Sequence, residues 1–211
     1  MSPLFIIENF IWLDIILTAI VLSVKGGKKM KRTQQEVLDL YEKYYEMVWR
    51  ICLVRFGNTH DAYDAAQETF VRLMSDTKSF HNEEHEKAWL IRTAINYCKD
   101  VMKSSHWKRE IGLDGGKPPE AGVVPNEYSE VYEAMMELPE KYRVILYLHY
   151  YEGYSQKEIA RMMKTNASTL RSRFAKAKEL MKVYLEEEMP KEQGKCEVLQ
   201  KCFPDEKGAV L

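Results

Sequence analysis

A run of basic residues between positions 164 and 182 is the clearest chemical feature of the sequence. It contains one acidic residue, Glu179, and six cations, which gives a local charge of +5. The cations are Lys164, Arg171, Arg173, Lys176, Lys178 and Lys182. Cations at this density bind phosphates, and a guanidinium can also donate two hydrogen bonds to a guanine edge. The run favours contact with a nucleic acid, although the whole chain of 211 residues carries a net charge of only −1.

The segments around this run are expected to form a helix, a short turn and a longer helix. Ser155 stands three residues before Glu158, the spacing of a capping box, and this predicts a helix over 156–163. Lys164-Thr165-Asn166 interrupts it, and a longer helix is predicted over 167–184. A helix, a three-residue turn and a longer basic helix are typical of a DNA-reading helix-turn-helix.

The longer helix divides into an apolar face and a polar face. At 100° per residue its apolar residues fall within about 60° of one another and must face a core: Leu170, Phe174, Ala177 and Met181. The candidate DNA contacts lie elsewhere on the helix: Ser168, Thr169, Arg171, Ser172, Arg173 and Lys176.

Each of these contacts has an expected role. Arg171 can fork onto a guanine edge, and Ser172 can bond a base or a phosphate. Arg173 projects nearer the core and is assigned to a phosphate or an internal ion pair, while Lys164 and Lys178 are assigned to the DNA backbone. The alternative is a solvated amphipathic helix with no partner, the usual explanation of a charge run.

An all-α domain is predicted ahead of the helix-turn-helix. Apolar residues recur at helical spacing from Gln34 to Phe56, where Gly57 gives a stop signal. A second helix is predicted after Thr59, running through Leu73, and a third from about Glu84 to Lys103. No stretch alternates with the period of two that a strand requires.

The predicted fold class is therefore all-α, with two small helical domains joined by a flexible linker. The first domain is assigned to 30–110, the Gly- and Pro-rich linker to 111–128, the second domain to 129–188 and a flexible tail to 189–211. Helices predicted over 129–136 and 140–150 make the second domain a four-helix, winged-helix-like unit.

Residues 1–29 form an apolar extension that is left out of the fold prediction. Glu8 and Asp14 leave only ten uncharged residues in a row, too few for a membrane span, which needs about 20. The basic residues follow the apolar stretch, which disfavours a signal peptide. Lys-Gly-Gly-Lys-Lys before Met30 is what a translated ribosome-binding site would give, so Met30 is one candidate start, and a membrane-associated extension is the other reading.

The cysteines and the histidine pair do not indicate a catalytic or metal-binding site. Cys52 and Cys98 lie within helical patterns as buried thiols, and Cys196 and Cys202 read as free thiols on the tail. His81 and His85 have metal-binding helical spacing, but Asn82 stands where the zinc-protease pattern requires Glu. We expect no metal site, no cofactor, no small-molecule substrate and no catalysis.

Three stretches resemble a bacterial RNA polymerase sigma factor of the sigma-70 family, specifically the compact extracytoplasmic-function group. They are residues 61–70 (DAYDAAQETF), residues 88–96 (AWLIRTAIN) with Asp100, and Leu138-Pro139 followed by residues 155–160 (SQKEIA) and 169–173 (TLRSR). The resemblance covers about Gln34 to Leu185 and implies region 2 in the first domain and region 4 in the second.

The resemblance implies binding roles in both domains. Residues 61–70 would dock on the clamp helices of the polymerase's largest catalytic subunit through Asp64, Gln67, Glu68 and, as an apolar anchor, Phe70. The second domain would read the minus-thirty-five duplex and meet the flap of the second subunit. The third helix and its flanks would hold the minus-ten strand open, through these candidates: Phe80, Arg92, Asn96, Lys103, Trp107, Lys108 and Arg109.

Three neighbours of these candidates have less direct roles. Trp89 lies on the apolar stripe of its helix and is assigned to the core. His81 and Asn82 lie in the loop that captures a flipped promoter base in this family, although a solvated loop is the simpler reading.

The function implied is that of a sigma factor directing transcription initiation at a stress- or signal-responsive regulon, in the cytoplasm at the nucleoid. Membrane association is expected only if residues 1–29 are genuine. An anti-sigma factor is an expected partner, alongside core polymerase and promoter DNA. A free-standing helix-turn-helix regulator is the alternative, but the acidic helix at 61–70 and the linker favour the polymerase subunit.

Overall fold

Seven α-helices make up the computed structural model, which describes residues 32–76, 78–104 and 129–188. They are α1 (Gln34–Phe56), α2 (Thr59–Ser75), α3 (Glu83–Lys103), α4 (Ser129–Met136), α5 (Glu140–Tyr150), α6 (Gln156–Met162) and α7 (Ala167–Glu188). No strand occurs in these residues, which confirms the all-α prediction. The predictions for residues 1–29, the linker, the tail, Trp107, Lys108, Arg109, Cys196 and Cys202 fall outside the described residues.

Helix α1 begins and ends where its sequence provides the groups that a helix terminus lacks. The Thr33 hydroxyl accepts a hydrogen bond from the Glu36 amide at 3.2 Å, and the Glu36 carboxylate accepts one from the Thr33 amide at 2.6 Å. The hydrogen bonds that the Glu36 carboxylate accepts from the Thr33 amide and from the Thr33 hydroxyl hold the pKa of Glu36 below its usual value. At the other end Gly57 adopts a φ of 78°, a left-handed conformation that glycine tolerates, and the helix stops there as predicted.

Helices α2 and α3 pack on α1 to form the first group of helices. Each begins one residue earlier than predicted, because Asn58 and Asn82 supply the caps: their side-chain oxygens accept the amides of Asp61 and His85, each at 2.8 Å. The thiols Cys52 and Cys98 are buried and free between these helices, as predicted. Burial next to Cys98 raises the pKa of Cys52, which keeps that thiol protonated and unreactive.

Helices α4 to α7 form the second group around the helix-turn-helix. Ser155 and Glu158 make the predicted capping box, with the Ser155 hydroxyl 3.3 Å from the Glu158 amide. The turn after α6 places Lys164 at a φ of 49°, the only left-handed non-glycine residue in the described part of the chain. All four residues of the predicted apolar face of α7 are buried, which confirms its orientation.

The two groups of helices also pack against each other, which the sequence did not predict. Helix α1 lies against α5, and the Arg55 guanidinium, in a side chain only 6% exposed, forms an ion pair with Glu140 at the start of α5. The Lys87 ammonium on α3 lies 3.0 Å from the Glu152 carboxylate and 5.3 Å from the centre of the Tyr154 ring. Apolar contact and two ion pairs therefore join the groups.

A membrane-crossing helix is not found in the part of the chain that the structure describes, where no helix is both long enough and apolar enough.

The contact between α1 and α5 should depend on the charge at position 140. Glu140→Lys would place a second cation against the Arg55 guanidinium, where burial strengthens the repulsion. We expect the two groups to separate, so that the radius of gyration from small-angle X-ray scattering increases. Glu42→Lys, on the exposed side of α1, is the matched charge reversal and should leave the radius unchanged. An unchanged radius in Glu140→Lys would contradict the expectation.

Candidate nucleic-acid and protein interfaces

The outward face of α7 presents small and basic side chains to solvent. Ser168, Thr169, Arg171, Ser172 and Lys176 are exposed, and Arg173 is half-buried, nearer the core as its position on the helix predicted. Together with the exposed Ala175, Ser168 and Ser172 form a central patch of small side chains, named here the smooth centre. The face is therefore accessible to a partner, while its contact with DNA stays a prediction.

Two basic side chains of α7, Lys176 and Lys178, make contacts within the protein. The Lys176 ammonium lies 3.0 Å from the Glu179 carboxylate. Lys178 is half-buried with its ammonium 6.0 Å from the centre of the Phe174 ring, so it points along the core edge of the helix. Of the basic groups on this helix, the exposed Arg171 lies nearest the smooth centre and is best placed to enter a groove.

Helix α7 is held in place by its first turn and by its apolar face. The Asn166 side-chain oxygen accepts hydrogen bonds from the Ser168 amide at 2.9 Å and from the Ser168 hydroxyl at 3.0 Å. The Phe174 ring lies 4.8 Å from His149 and 6.1 Å from Tyr150, both on α5. Asn166, predicted only to interrupt the helix, also caps α7, since asparagine before a helix is a capping signal.

Helix α2 carries the candidate protein-binding face. Asp64 is exposed, and Gln67 and Glu68 are half-buried. The Glu68 carboxylate accepts a hydrogen bond from Arg72 at 2.9 Å, and the Arg72 guanidinium lies 4.7 Å from the centre of the Tyr97 ring on α3. Burial, followed by the negative charge of Glu68, raises the pKa of Tyr97. This pair fixes Glu68 and leaves Asp64 as the exposed charge of the face.

Phe70 is not on that face, and its predicted role as an exposed apolar anchor is wrong. Its side chain is 1% exposed, and its ring lies 4.9 Å from Tyr41 and 6.3 Å from Tyr45, both on α1. The helical spacing to buried Ala66 and Leu73 already indicated the inward direction. The exposed apolar residue beside Asp64 and Glu68 is Val71, which was not among the predicted contacts.

Helix α3 aligns a set of polar groups along one side. Arg92 and Lys103 are exposed and Asn96 is half-buried, at spacings that place them on the same side of the helix. Exposed Lys99 lies in the same row and was also missed. This row is a cationic track, and three further candidates for it, Trp107, Lys108 and Arg109, lie outside the described residues.

Phe80, the remaining candidate, is half-buried between aromatic and cationic neighbours. Its ring lies 5.8 Å from Trp89 and 5.6 Å from His85, and the Arg32 guanidinium carbon lies 4.5 Å from its centre. Trp89 is itself partly buried and packs against the core, in the direction expected of it. Phe80 therefore has limited free ring surface in this arrangement.

The histidine pair beside Phe80 belongs to the start of α3. The rings of His81 and His85 stack at 5.5 Å, and Asn82 between them caps the helix. Within the described ranges, no group of three or more His, Cys, Asp or Glu residues is arranged to hold a metal ion.

Comparison with known proteins gives two family matches. A model of sigma-70 region 2 matches residues 40–108, and a model of sigma-70 region 4 matches residues 128–181. Between them the two matched ranges take in more than half of the chain.

Curated relatives and a solved structure agree with these matches. The chain is 28% identical over 178 residues to ECF RNA polymerase sigma factor SigW of Bacillus subtilis, covering 76% of this chain and 95% of the relative. It is 27% identical over 169 residues to RNA polymerase sigma factor SigV of the same species, covering 76% and 98%. The sigma factor RpoE of Bartonella quintana, solved in complex with the anti-sigma factor NepR, shares the fold at a TM-score of 0.58 and 20% identity, over 74% of this chain and 98% of that one.

The buried position of Phe70 predicts a large effect on stability. Phe70→Ala would remove a ring from between Tyr41, Tyr45 and the core and leave a cavity, which costs about 3 to 5 kcal/mol in the free energy of unfolding. Denaturation by urea, followed by circular dichroism, measures this change. Val71→Ala is the neighbouring control and should change the free energy by less than about 0.5 kcal/mol. Equal effects of the two substitutions would contradict the assignment of Phe70 to the core.

Proposed function

The chain belongs to the sigma-70 family, in its extracytoplasmic-function group, as a sigma factor that binds core RNA polymerase and directs promoter recognition, and on that premise we propose which surface performs each task. In this proposal α7 reads the minus-thirty-five duplex and α2 binds the polymerase. Helix α3 and the residues around Phe80 hold the minus-ten strand.

The exposed face of α7 is the observation that carries the proposal. The major groove of B-DNA is about 12 Å wide, so a helix enters it most deeply where its side chains are small. Ser168, Ser172 and Ala175 supply that centre, opposite the buried stripe that fixes the helix on α5. Arg171, beside the centre, would donate to a guanine edge, and Lys176 would reach a phosphate.

The α2 face suits a protein partner better than DNA. Its exposed Asp64 and the carboxylate of Glu68 would repel phosphates, whereas a protein can pair with both. Val71 gives this face an apolar centre in place of the buried Phe70. We propose that Asp64, Gln67, Glu68 and Val71 meet the clamp helices of the largest polymerase subunit.

The row along α3 suits a single strand. Separating and extruding bases costs a few kcal/mol per step, which cationic contacts to the backbone and stacking surfaces must offset. Arg92, Lys99 and Lys103 are exposed for backbone contact, and Asn96 can bond a base edge. Trp107, Lys108 and Arg109 would continue this surface.

The contact between α1 and α5 sets a condition on this function. The minus-ten and minus-thirty-five elements lie about 25 base pairs apart, or about 85 Å along B-DNA. Domains that pack directly against each other cannot span that distance. We propose that the contact opens on the polymerase, and that residues 105–128, which can extend to about 80 Å, connect the separated domains.

Further aspects follow from the family. We propose that the protein acts by binding and not by catalysis, and that it works in the cytoplasm, where polymerase and promoter DNA are found. The RpoE structure is a complex with an anti-sigma factor, which supports the proposal that a protein of this class silences the present chain. A free-standing regulator is not favoured, because family matches to both region 2 and region 4 account for both groups of helices.

Core binding should depend on the exposed charge of α2. Asp64→Ala is expected to weaken binding to purified core polymerase about tenfold, as loss of a central interface contact commonly does. Fluorescence anisotropy of the labelled chain measures the affinity, and transcription from a native promoter measures function. Glu42→Ala, an exposed carboxylate on α1, is the control and should bind normally. Failure of the wild-type chain to bind core polymerase at moderate salt would overturn the proposed function itself.

Arg171→Ala should alter sequence recognition more than overall affinity. Loss of a bidentate base contact is expected to cost about 1 to 3 kcal/mol at one promoter position and to relax specificity there. Holoenzyme binding to a panel of single-base promoter variants measures this.

The matched control is Lys164→Asn, which removes a cation and keeps a residue type that tolerates the left-handed backbone at this position. It should weaken binding evenly across the panel and lower the salt dependence by about one counterion. An even loss from Arg171→Ala would contradict its assignment as a base contact.

A further inference from the structure

Arg32 connects the start of α1 to the chain beyond α2. One of its terminal nitrogens donates to the carbonyl oxygens of Leu73 at 2.8 Å and Asp76 at 2.7 Å, and the other donates to the carbonyl oxygen of Lys78 at 2.6 Å. Its guanidinium carbon lies 4.5 Å from the centre of the Phe80 ring. A single side chain therefore contacts four points between the last turn of α2 and Phe80.

These contacts match the chemistry of a helix terminus. Leu73 lies in the last turn of α2, where its carbonyl oxygen accepts the Asp76 amide at 3.3 Å and has a second lone pair for another donor, and the helix dipole places negative charge there. A guanidinium satisfies several carbonyls at once because its five donors lie in one fixed plane. Its flat cation can also lie against an aromatic ring. Lysine offers a single tetrahedral donor group and cannot reproduce this set.

Arg32 lines a cavity beside these contacts. The cavity has a volume of about 410 Å³ and lies between the first turns of α1 and residues 78–80; its lining includes Arg32, Glu36, Leu40, Lys78 and Phe80. Residues 78–82 are named here the Phe80 loop; Lys78 and Phe80 face α1 across this cavity. Just beyond the loop, the Lys43 ammonium on α1 lies 2.8 Å from the Glu83 carboxylate. On the opposite side Phe80 meets His85 and Trp89 of α3.

We propose that Arg32 is a positioning residue for promoter opening. It fixes the end of α2 and the start of the Phe80 loop, so that the Phe80 ring is held in the orientation that receives the displaced minus-ten strand. Arg32 itself does not touch DNA in this proposal. The inference rests on the proposed function, because it assumes that the Phe80 loop contacts that strand.

The direct test compares promoter opening with core binding in reconstituted holoenzyme. Arg32→Ala is expected to reduce formation of the open complex about tenfold, measured by 2-aminopurine fluorescence in the minus-ten element, with core affinity unchanged. Arg32→Lys should recover only a small part of the loss, because the charge alone does not hold three carbonyls. Gln35→Ala, on the exposed first turn of α1, is the matched control and should open promoter normally.

A double-mutant cycle then distinguishes positioning from general stability. If Arg32 acts through the Phe80 loop, Arg32→Ala combined with Phe80→Ala will open promoter no more slowly than Phe80→Ala alone. Multiplied defects, equal loss of core affinity in Arg32→Ala, or full activity of Arg32→Lys would each overturn the proposal. A wild-type chain that fails to bind core polymerase would instead overturn the proposed function, so the two failures can be told apart.

Discussion

Burial of the end of α1, from Ile51 onward, is the constraint on which the rest of the structure depends. Every residue from Ile51 to Asn58 is buried, because α2 and α3 cover the helix on some sides and α5 covers it on another. This stretch includes Arg55, whose charge is removed from water and therefore needs the partner that Glu140 supplies. One helix thus belongs to the cores of both groups.

The proposed binding faces are the sides of α2 and α7 that this packing leaves exposed. Helix α2 uses Phe70 to pack on α1, so only the side with Asp64 and Val71 remains for a partner. Helix α7 uses Leu170 and Phe174 in the same way and presents Ser172 with its neighbours outward. Packing of the opposite face therefore sets the orientation of each proposed binding surface to within a fraction of a helical turn.

Several features of the fold and the candidate site could be predicted from local rules. The capping box at Ser155, the glycine stop at Gly57 and the apolar stripe of α7 depend on residues within one or two helical turns, and all three are confirmed. The motif of residues 61–70 includes members from both sides of α2, so by itself it does not separate the buried Phe70 from the exposed Asp64. The Arg32 contacts join groups 41 to 46 residues apart, and no local pattern indicates such a distance.

The sequence by itself determined the helices, the apolar face of each and the family, since these follow from periodicity, capping and short motifs that act within a few residues. Tertiary structure alone decided that α1 lies against α5, that Arg55 pairs with Glu140, and that Arg32 reaches the end of α2. The physical reason is that a charged side chain finds its partner through three-dimensional proximity. Linear order specifies which charges exist, and packing specifies which of them meet.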